Sequence, residues 1–229
     1  MKLSTQTLSI LKNFGNINQG IYFRNGKKLR TISPQQNILA QAEIDEEIPS
    51  DFGIYDLNNF LSVVTLHKEE PSFEFDDKHI YVIGNNNRSK IKYRFCDPSM
   101  IVVPPEKGIS VPDPKITFEL TSDDFTWIMR AASVLSSPNI AVESDGSVVN
   151  IVTMNVKDDS AHTDCLKISD GDGSRYRMIY KTENLTKILP GTYTVEVSTK
   201  GVSYFKSQSM KLEYWVAVES GSNYEPSVE

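Results

Sequence analysis

One pattern occurs twice along this chain, in the same order and at nearly the same offset. Leu3-Ser4-Thr5-Gln6-Thr7-Leu8-Ser9-Ile10-Leu11-Lys12 is answered by Leu120-Thr121-Ser122-Asp123-Asp124-Phe125-Thr126-Trp127-Ile128-Met129-Arg130. Ile54-Tyr55-Asp56-Leu57-Asn58-Asn59-Phe60-Leu61 is answered by Ile179-Tyr180-Lys181-Thr182-Glu183-Asn184-Leu185-Thr186, and the turn Asn25-Gly26 by Asp145-Gly146. A period of about half the chain implies tandem domains rather than a solenoid, whose repeats run to about 20–50 residues. The expected domains are residues 1–108 and 109–229.

Hydrophobic periodicity assigns an α+β class to each half. Leu8, Leu11 and Phe14 recur at helical spacing from Thr5, and Gly15 is expected to end that helix. Asn25-Gly26 between two β-rich runs predicts a tight hairpin of Ile21–Arg24 with Lys27–Ile32. Ile38–Ile44 alternates as a strand, and Asp56 is placed to cap a helix that turns Leu57, Phe60, Leu61 and Val64 inward. Strands are expected over Ser72–Ile83 and Lys90–Phe95, around the turn Gly84-Asn85-Asn86-Asn87.

Asp97–Lys115 holds Pro98, Pro104, Pro105, Pro112 and Pro114, and reads as an extended linker. The pattern then restarts. A helix capped by Thr121 or Ser122 runs to Ser136. Strands follow at Ile140–Glu143, Val148–Asn155, Ala161–Ile168 and Arg175–Tyr180. Thr182 is expected to cap a short helix ended by Pro190-Gly191, before strands at Thr192–Ser198, Ser203–Ser207 and Met210–Glu219. Short connections make most strands antiparallel, so each half is expected to be an antiparallel sheet with two helices on one face.

Chemistry-bearing motifs are sparse. His67, His79 and His162 show no HxxxH or HExxH spacing. His162, Asp164 and Cys165 fall on a predicted strand, where neighbours face opposite ways and cannot converge on a metal. Asp170-Gly171-Asp172-Gly173-Ser174 lacks the glycine and closing glutamate of a calcium loop and reads as a hairpin turn. No phosphate-binding loop and no nucleophile elbow occur, so neither an enzyme nor a cofactor is expected. Cys96 and Cys165, one per half without a CxxC, read as free thiols of a reducing cytoplasm. No signal peptide and no apolar run of roughly 20 residues is found. A net charge of −6 argues against a protein coating nucleic acid over its whole surface.

The cations are more informative. Lys2, Lys12, Lys68, Arg130, Lys181 and Lys187 lie on or beside the four predicted helices. Acidic residues gather in Glu43–Glu47, Glu69-Glu70, Asp76-Asp77 and Asp158-Asp159, mostly at expected turns. With both helices of each half on one face, the field is sided and attracts a polyanion there only.

Met1-Lys2-Leu3-Ser4, Leu11-Lys12-Asn13-Phe14, Ile17-Asn18-Gln19-Gly20-Ile21 and the Ile54–Leu61 block carry a resemblance across nearly the whole chain. Asp97-Pro98-Ser99, Asp158-Asp159-Ser160-Ala161 and Pro190-Gly191-Thr192-Tyr193 support it. The sequence resembles the sliding clamps of T-even-like bacteriophages, the processivity factors of their replicative DNA polymerases. That resemblance implies two clamp domains per subunit and a homotrimeric ring closed on duplex DNA. It further implies helices lining the bore, an ATP-dependent clamp loader as partner, and action in the cytoplasm of the infected bacterial host. Arg130 is followed by Ala131-Ala132-Ser133, a sparser basic content than the resemblance implies.

On that pattern Lys90, Ile91, Lys92, Tyr93 and Arg94 are expected to pair by their strand edge with Asp164, Cys165 and Leu166 of the next subunit. The apolar linker residues Ile101, Val102, Val103 and Pro104 are expected to pack on the second domain near Tyr214, Val216 and Val218. There they would form a pocket for partner peptides. A two-domain ligand-binding module without a DNA role is the other reading of the duplication, and a monomer in solution would favour it.

Overall fold

A computed structural model describes residues 1–67, 70–84, 88–108 and 110–227. The chain forms two compact units, Met1–Lys107 and Gly108–Glu229. The predicted turn at Asn85–Asn87 lies outside the described residues.

Unit one opens with α1 (Thr5–Ile17), whose N-cap Ser4 Oγ accepts from the Thr7 amide at 3.2 Å. Ile10, Leu11, Phe14 and Ile17 form its buried stripe. Gly15 does not end this helix. It sits inside it because α2 (Leu57–Thr65) crosses there, and a Cβ would lie 2.6 Å from Asn58 Oδ1. The helix ends two residues later, at Ile17, followed by the C-cap Asn18.

β1 (Ile21–Phe23) leads through Asn25-Gly26 into β2 (Gly26–Ile32), but the expected hairpin ladder is not formed. β1 pairs with β4 (Phe52–Ile54), in register Ile21 with Ile54, whereas β2 pairs with β3 (Ile38–Ile48). The turn still needs glycine, since Gly26 has φ +107°. Its Asn25 is committed elsewhere: Nδ2 donates to the Ile48 carbonyl at 3.1 Å and the amide N donates to Asp51 Oδ1 at 2.7 Å. Strand β3 runs four residues beyond the expected end. Glu43, Asp45 and Glu47 therefore point outward from a strand rather than occupying a turn. Asp56 Oδ1 caps α2 by accepting from the Asn59 amide at 2.8 Å, and Leu57, Phe60, Leu61 and Val64 are buried, as the spacing predicts. β5 (Ser72–Phe75), β6 (His79–Ile83) and β7 (Lys90–Arg94) form a second sheet in that order.

Unit two repeats the plan more completely. α3 (Ser122–Val134) follows β8 (Pro114–Leu120), a strand the proline-rich composition concealed. β9 (Asn139–Asp145), β10 (Val148–Met154), β11 (Cys165–Asp170), β12 (Arg175–Lys181) and β16 (Asn223–Glu225) form a sheet in the order β11-β10-β9-β12-β16. β13 (Tyr193–Ser198), β14 (Val202–Ser207) and β15 (Leu212–Ala217) lie side by side, with β8 against β13. The internal symmetry reaches the edges. Phe73 and Met1 exchange backbone hydrogen bonds of 2.7 and 3.1 Å where unit two has β8 on β13. Cys96 bridges Gly53 where unit two has β16 on β12.

Three sequence expectations fail in unit two. β11 starts at Cys165, because Asp158 and Asn155 draw the preceding residues into turns. Asp170–Ser174 joins strands that are not neighbours and folds over the Gly146 turn, with Gly173 N donating to Gly146 O at 2.9 Å, so it is no hairpin. Thr182 caps nothing. Its Oγ1 donates to the Ser137 carbonyl at 2.8 Å, and α4 (Thr182–Leu185) is a single turn with Lys181 as its N-cap.

Candidate nucleic-acid and partner interfaces

In unit one α1 packs over β2 and β3 while α2 meets β5 and β7 through Phe60; in unit two α3 packs over β10 and β11 and α4 lies against β12. Their outer faces are mainly hydroxyl and amide. α1 exposes Thr5, Gln6, Ser9, Lys12 and Asn16, and α2 exposes Asn58, Asn59, Ser62 and Thr65. Ser62 and Thr65 donate to the carbonyls of Asn58 and Ser62, so their protons are spent within the helix. Lys2 and Lys12 are exposed at and on α1, and Arg130 is exposed on α3. Lys187 is half-buried beyond α4, and Lys68 lies outside the described residues. Lys181 departs from the expected set. On β12 it shares the parity of the exposed Arg175 and Arg177, not that of the buried Tyr176, Met178 and Tyr180, so it does not belong to the helix face.

α3 carries something else on its outer face. Trp127 is 58% exposed and Val134 75%. With Arg130, Ala131, Leu135, Thr163 and Asp164 they bound a groove of about 570 Å³ beside the start of β11. The indole Nε1 donates to Asp164 Oδ2 at 2.9 Å, which holds the ring upright against the groove. Residue spacing could have found it: Trp127 lies about 100° from Ile128 and about 160° from Phe125 on a helical wheel, off the inward stripe those two define.

β7 is one of the edge strands of unit one, and β11 one of those of unit two. On β7, Lys90, Lys92 and Arg94 point outward, while Ile91 and Tyr93 are half-buried. Tyr93 is tied inward, its hydroxyl donating to the Asp56 carbonyl at 3.2 Å and its ring edge-on to Phe60 at 5.3 Å. Lys90 Nζ lies 2.9 Å from Glu74 Oε2 and 4.4 Å over the Tyr81 ring. On β11, Cys165 and Lys167 are exposed and Leu166 half-buried.

The linker is bound to unit one. Ile101 is buried in a seat that exists because Gly20 and Gly53 lack side chains; Cβ atoms there would lie 3.2 and 3.0 Å from its own side-chain carbons. Asn18 Nδ2 donates to the Val102 carbonyl at 3.1 Å and Arg30 Nη1 to the Pro105 carbonyl at 2.8 Å. Tyr214 and Val216 are fully buried in the core of unit two, Tyr214 accepting from the Leu189 amide at 3.1 Å, so neither can wall an open pocket. Val218 is half-buried. Val103 and Pro104 instead help line a cleft of about 510 Å³ within unit one, together with Tyr22, Arg24, Asn25, Lys27, Lys28, Arg30 and Glu106.

Known proteins resemble this chain in sequence and in fold. Residues 2–103 match the family model of the DNA polymerase processivity factor. The sliding clamp of Escherichia phage RB69 is 32% identical over 98% of this chain and all of its own length, and that of Enterobacteria phage T4 is 31% identical with the same coverage. The sliding clamp of Vibrio phage KVP40 is 28% identical over 96% of this chain and all of its own. Among solved structures, PCNA from Thermococcus kodakaraensis superposes with a TM-score of 0.67 at 12% identity, covering 93% of this chain and 96% of that one. Proliferating cellular nuclear antigen from Entamoeba histolytica does so at 0.64 and 13% identity, over 93% and 94%. The chain belongs to the sliding-clamp family of DNA polymerase processivity factors.

Proposed function

We propose that this protein closes as a homotrimeric ring around duplex DNA and tethers the replicative DNA polymerase, giving processivity without chemistry of its own. Each unit serves as one clamp domain. An ATP-dependent clamp loader opens the ring, in the cytoplasm of the infected bacterial host. The observation that carries this reading is the duplicated unit with helix faces of mainly hydroxyl and amide groups, whose cations are Lys2, Lys12, Arg130 and Lys187. A ring holds DNA by topology, so it needs weak, sequence-blind attraction, and strong phosphate contacts would pin it.

The seam joins β7 of one subunit to β11 of the next. A head-to-tail contact that closes gives a ring, and pairing hides two open edges. Lys92 and Arg94 face the neighbour there, opposite the acidic ends of β11 at Asp164 and Asp170. The α3 groove of Trp127 and Val134 lies beside that edge and belongs to the same contact, which explains why the third helix carries apolar residues where a DNA-facing helix would carry cations. Partner tails dock on the exposed linker residues Val102 and Val103.

Two measurements test this together. Solution mass across a concentration series should reach three chains per particle. Protein loaded on nicked circular DNA should stay bound and be released by linearisation. A monomer at all concentrations, or equal retention on circular and linear DNA, would falsify the ring.

A further inference from the structure

Asn25-Gly26 is the only Asn-Gly pair in the chain, and the turn in unit two has Asp145-Gly146 in its place. Asn-Gly carries a latent reaction. With no side chain on glycine to shield it, Gly26 N can attack Asn25 Cγ. The N–Cγ bond forms, the Cγ–Nδ2 bond breaks, and the Gly26 proton leaves with the departing ammonia. Water then opens the cyclic imide to aspartate, or to isoaspartate, whose backbone runs through the side-chain carbon. The attacking amide must first lose its proton. Arg24, Lys27 and Lys28 all lie within two residues of Gly26 and stabilise that anion, so the unfolded segment should convert readily.

Burial gives no protection, because Asn25 is exposed and water reaches it. Hydrogen bonds hold it instead. Nδ2, the leaving group, donates to the Ile48 carbonyl at 3.1 Å and to the Pro49 carbonyl at 2.9 Å, which ties the side chain to the end of β3. The backbone amide of Asn25 donates to Asp51 Oδ1 at 2.7 Å, and Asp51 pairs in turn with Arg24 at 3.1 Å. Gly26 stands opposite Ile48 in the register of β2 with β3, so both residues of the pair are placed against the same residue of a neighbouring strand. Ring closure requires the side chain to leave these acceptors. The product cannot return to them: a carboxylate has no proton to donate and would face the Ile48 and Pro49 carbonyls with Asp51 close by.

We propose that Asn25 is a deamidation site guarded by the folded turn, converting only while it is released from Ile48, Pro49 and Asp51. This holds whether or not the chain closes as a ring. When the turn opens and closes quickly, the rate of conversion is the open fraction multiplied by the rate of the free segment. Because the reaction does not reverse, product at residue 25 records past opening of the turn. It adds a negative charge there and, as isoaspartate, lengthens the backbone at the first rung of β2, so converted chains should lose the pairing of Gly26 with Ile48.

The experiment incubates the full-length protein in mildly alkaline buffer, folded and unfolded in urea, and follows the amide-to-acid mass gain at residue 25 by peptide mapping. The folded protein should convert at least about tenfold more slowly than the unfolded chain. Asp51→Ala should raise the folded rate several-fold, whereas Asp51→Asn, which keeps an acceptor oxygen without the charge, should stay with the parent. Circular dichroism shows that each variant is folded. In the parent alone, conversion and hydrogen exchange of the Asn25 amide should rise together as urea is raised below the unfolding transition, a readout that stands even if Asp51→Ala does not fold. Equal rates in the folded and unfolded protein overturn the proposal, as does an unfolded chain that does not convert. A folded Asp51→Ala that converts no faster than the parent overturns it too, and so does conversion that does not follow amide exchange.

Discussion

Glu46 shows how one side chain can join two elements. From β3 it accepts from the Thr7 hydroxyl at 2.7 Å and from the Ser4 amide, closing the N-terminus of α1. Partial burial opposes its charge, but the Thr7 and Ser4 donors outweigh that and hold the carboxyl below its ordinary value. A group with a lowered folded pKa contributes stability above its unfolded pKa, and that contribution disappears as pH falls through the folded one. Glu46→Gln should therefore lower stability near pH 7 by on the order of 1 kcal/mol, the usual size of a helix cap. Thermal melts of variant and parent should converge toward pH 3. An equal gap at both pH values would show that the charge is not what matters. Asn184 is the opposite case. It is fully buried within the single turn of α4, and neither side-chain nitrogen nor oxygen has a partner among the described residues. An unanswered buried amide costs about 1–3 kcal/mol. Asn184→Leu should raise the melting temperature by roughly 2–4 °C for each kcal/mol recovered.

At the scale of elements, β7 is two-sided. Tyr93 faces Phe60 and α2, so Tyr93→Asp would damage unit one before it tested any seam. Lys92 and Arg94 are the cleaner probes because they leave the core alone. Lys92→Glu with Arg94→Glu should shift sedimentation from trimer to monomer while far-ultraviolet circular dichroism stays unchanged. A double variant that sediments like the parent removes β7 from the seam. The linker is an element of the same kind, held by a small anchor. Ile101→Ser should cost about 2–4 kcal/mol through the lost packing of a buried aliphatic chain, and proteolysis should then cut near Val102 and Val103.

For the whole molecule, a tryptophan reports assembly. The chain has two, and Trp127 on α3 is the more exposed, with Trp215 half-buried. If the α3 groove is covered when subunits associate, emission should shift to the blue as concentration rises, and Trp127→Phe should abolish the shift. Emission independent of concentration across a measured mass change would place α3 outside the contact. DNA behaviour follows from how few cations the helix face bears. Lys12→Glu with Arg130→Glu should slow loading without unfolding the protein. Retention on closed circles should depend little on salt, because topology and not counterion release holds the ring.

Much of each unit was legible in the chain itself. The duplication, the caps Asp56 and Thr121, and the inward stripes of α1 and α2 are all patterns of spacing along the chain, which determines which side chains share a face. What tertiary structure decided was non-local. Gly15 continues a helix because α2 crosses it, Asn25-Gly26 joins strands of different ladders because Asp51 and Ile48 hold Asn25, and Thr182 spends its hydroxyl on Ser137. Ile101 is an anchor only because Gly20 and Gly53, distant in sequence, meet beneath it. Arg24, Lys27, Lys28 and Arg30 line one cleft with Val103, Pro104 and Glu106 only because the linker lies against them. Local periodicity is written residue by residue, but which surface covers which is set by burial and hydrogen bonding across long loops, and no stretch of sequence carries both partners of such a contact.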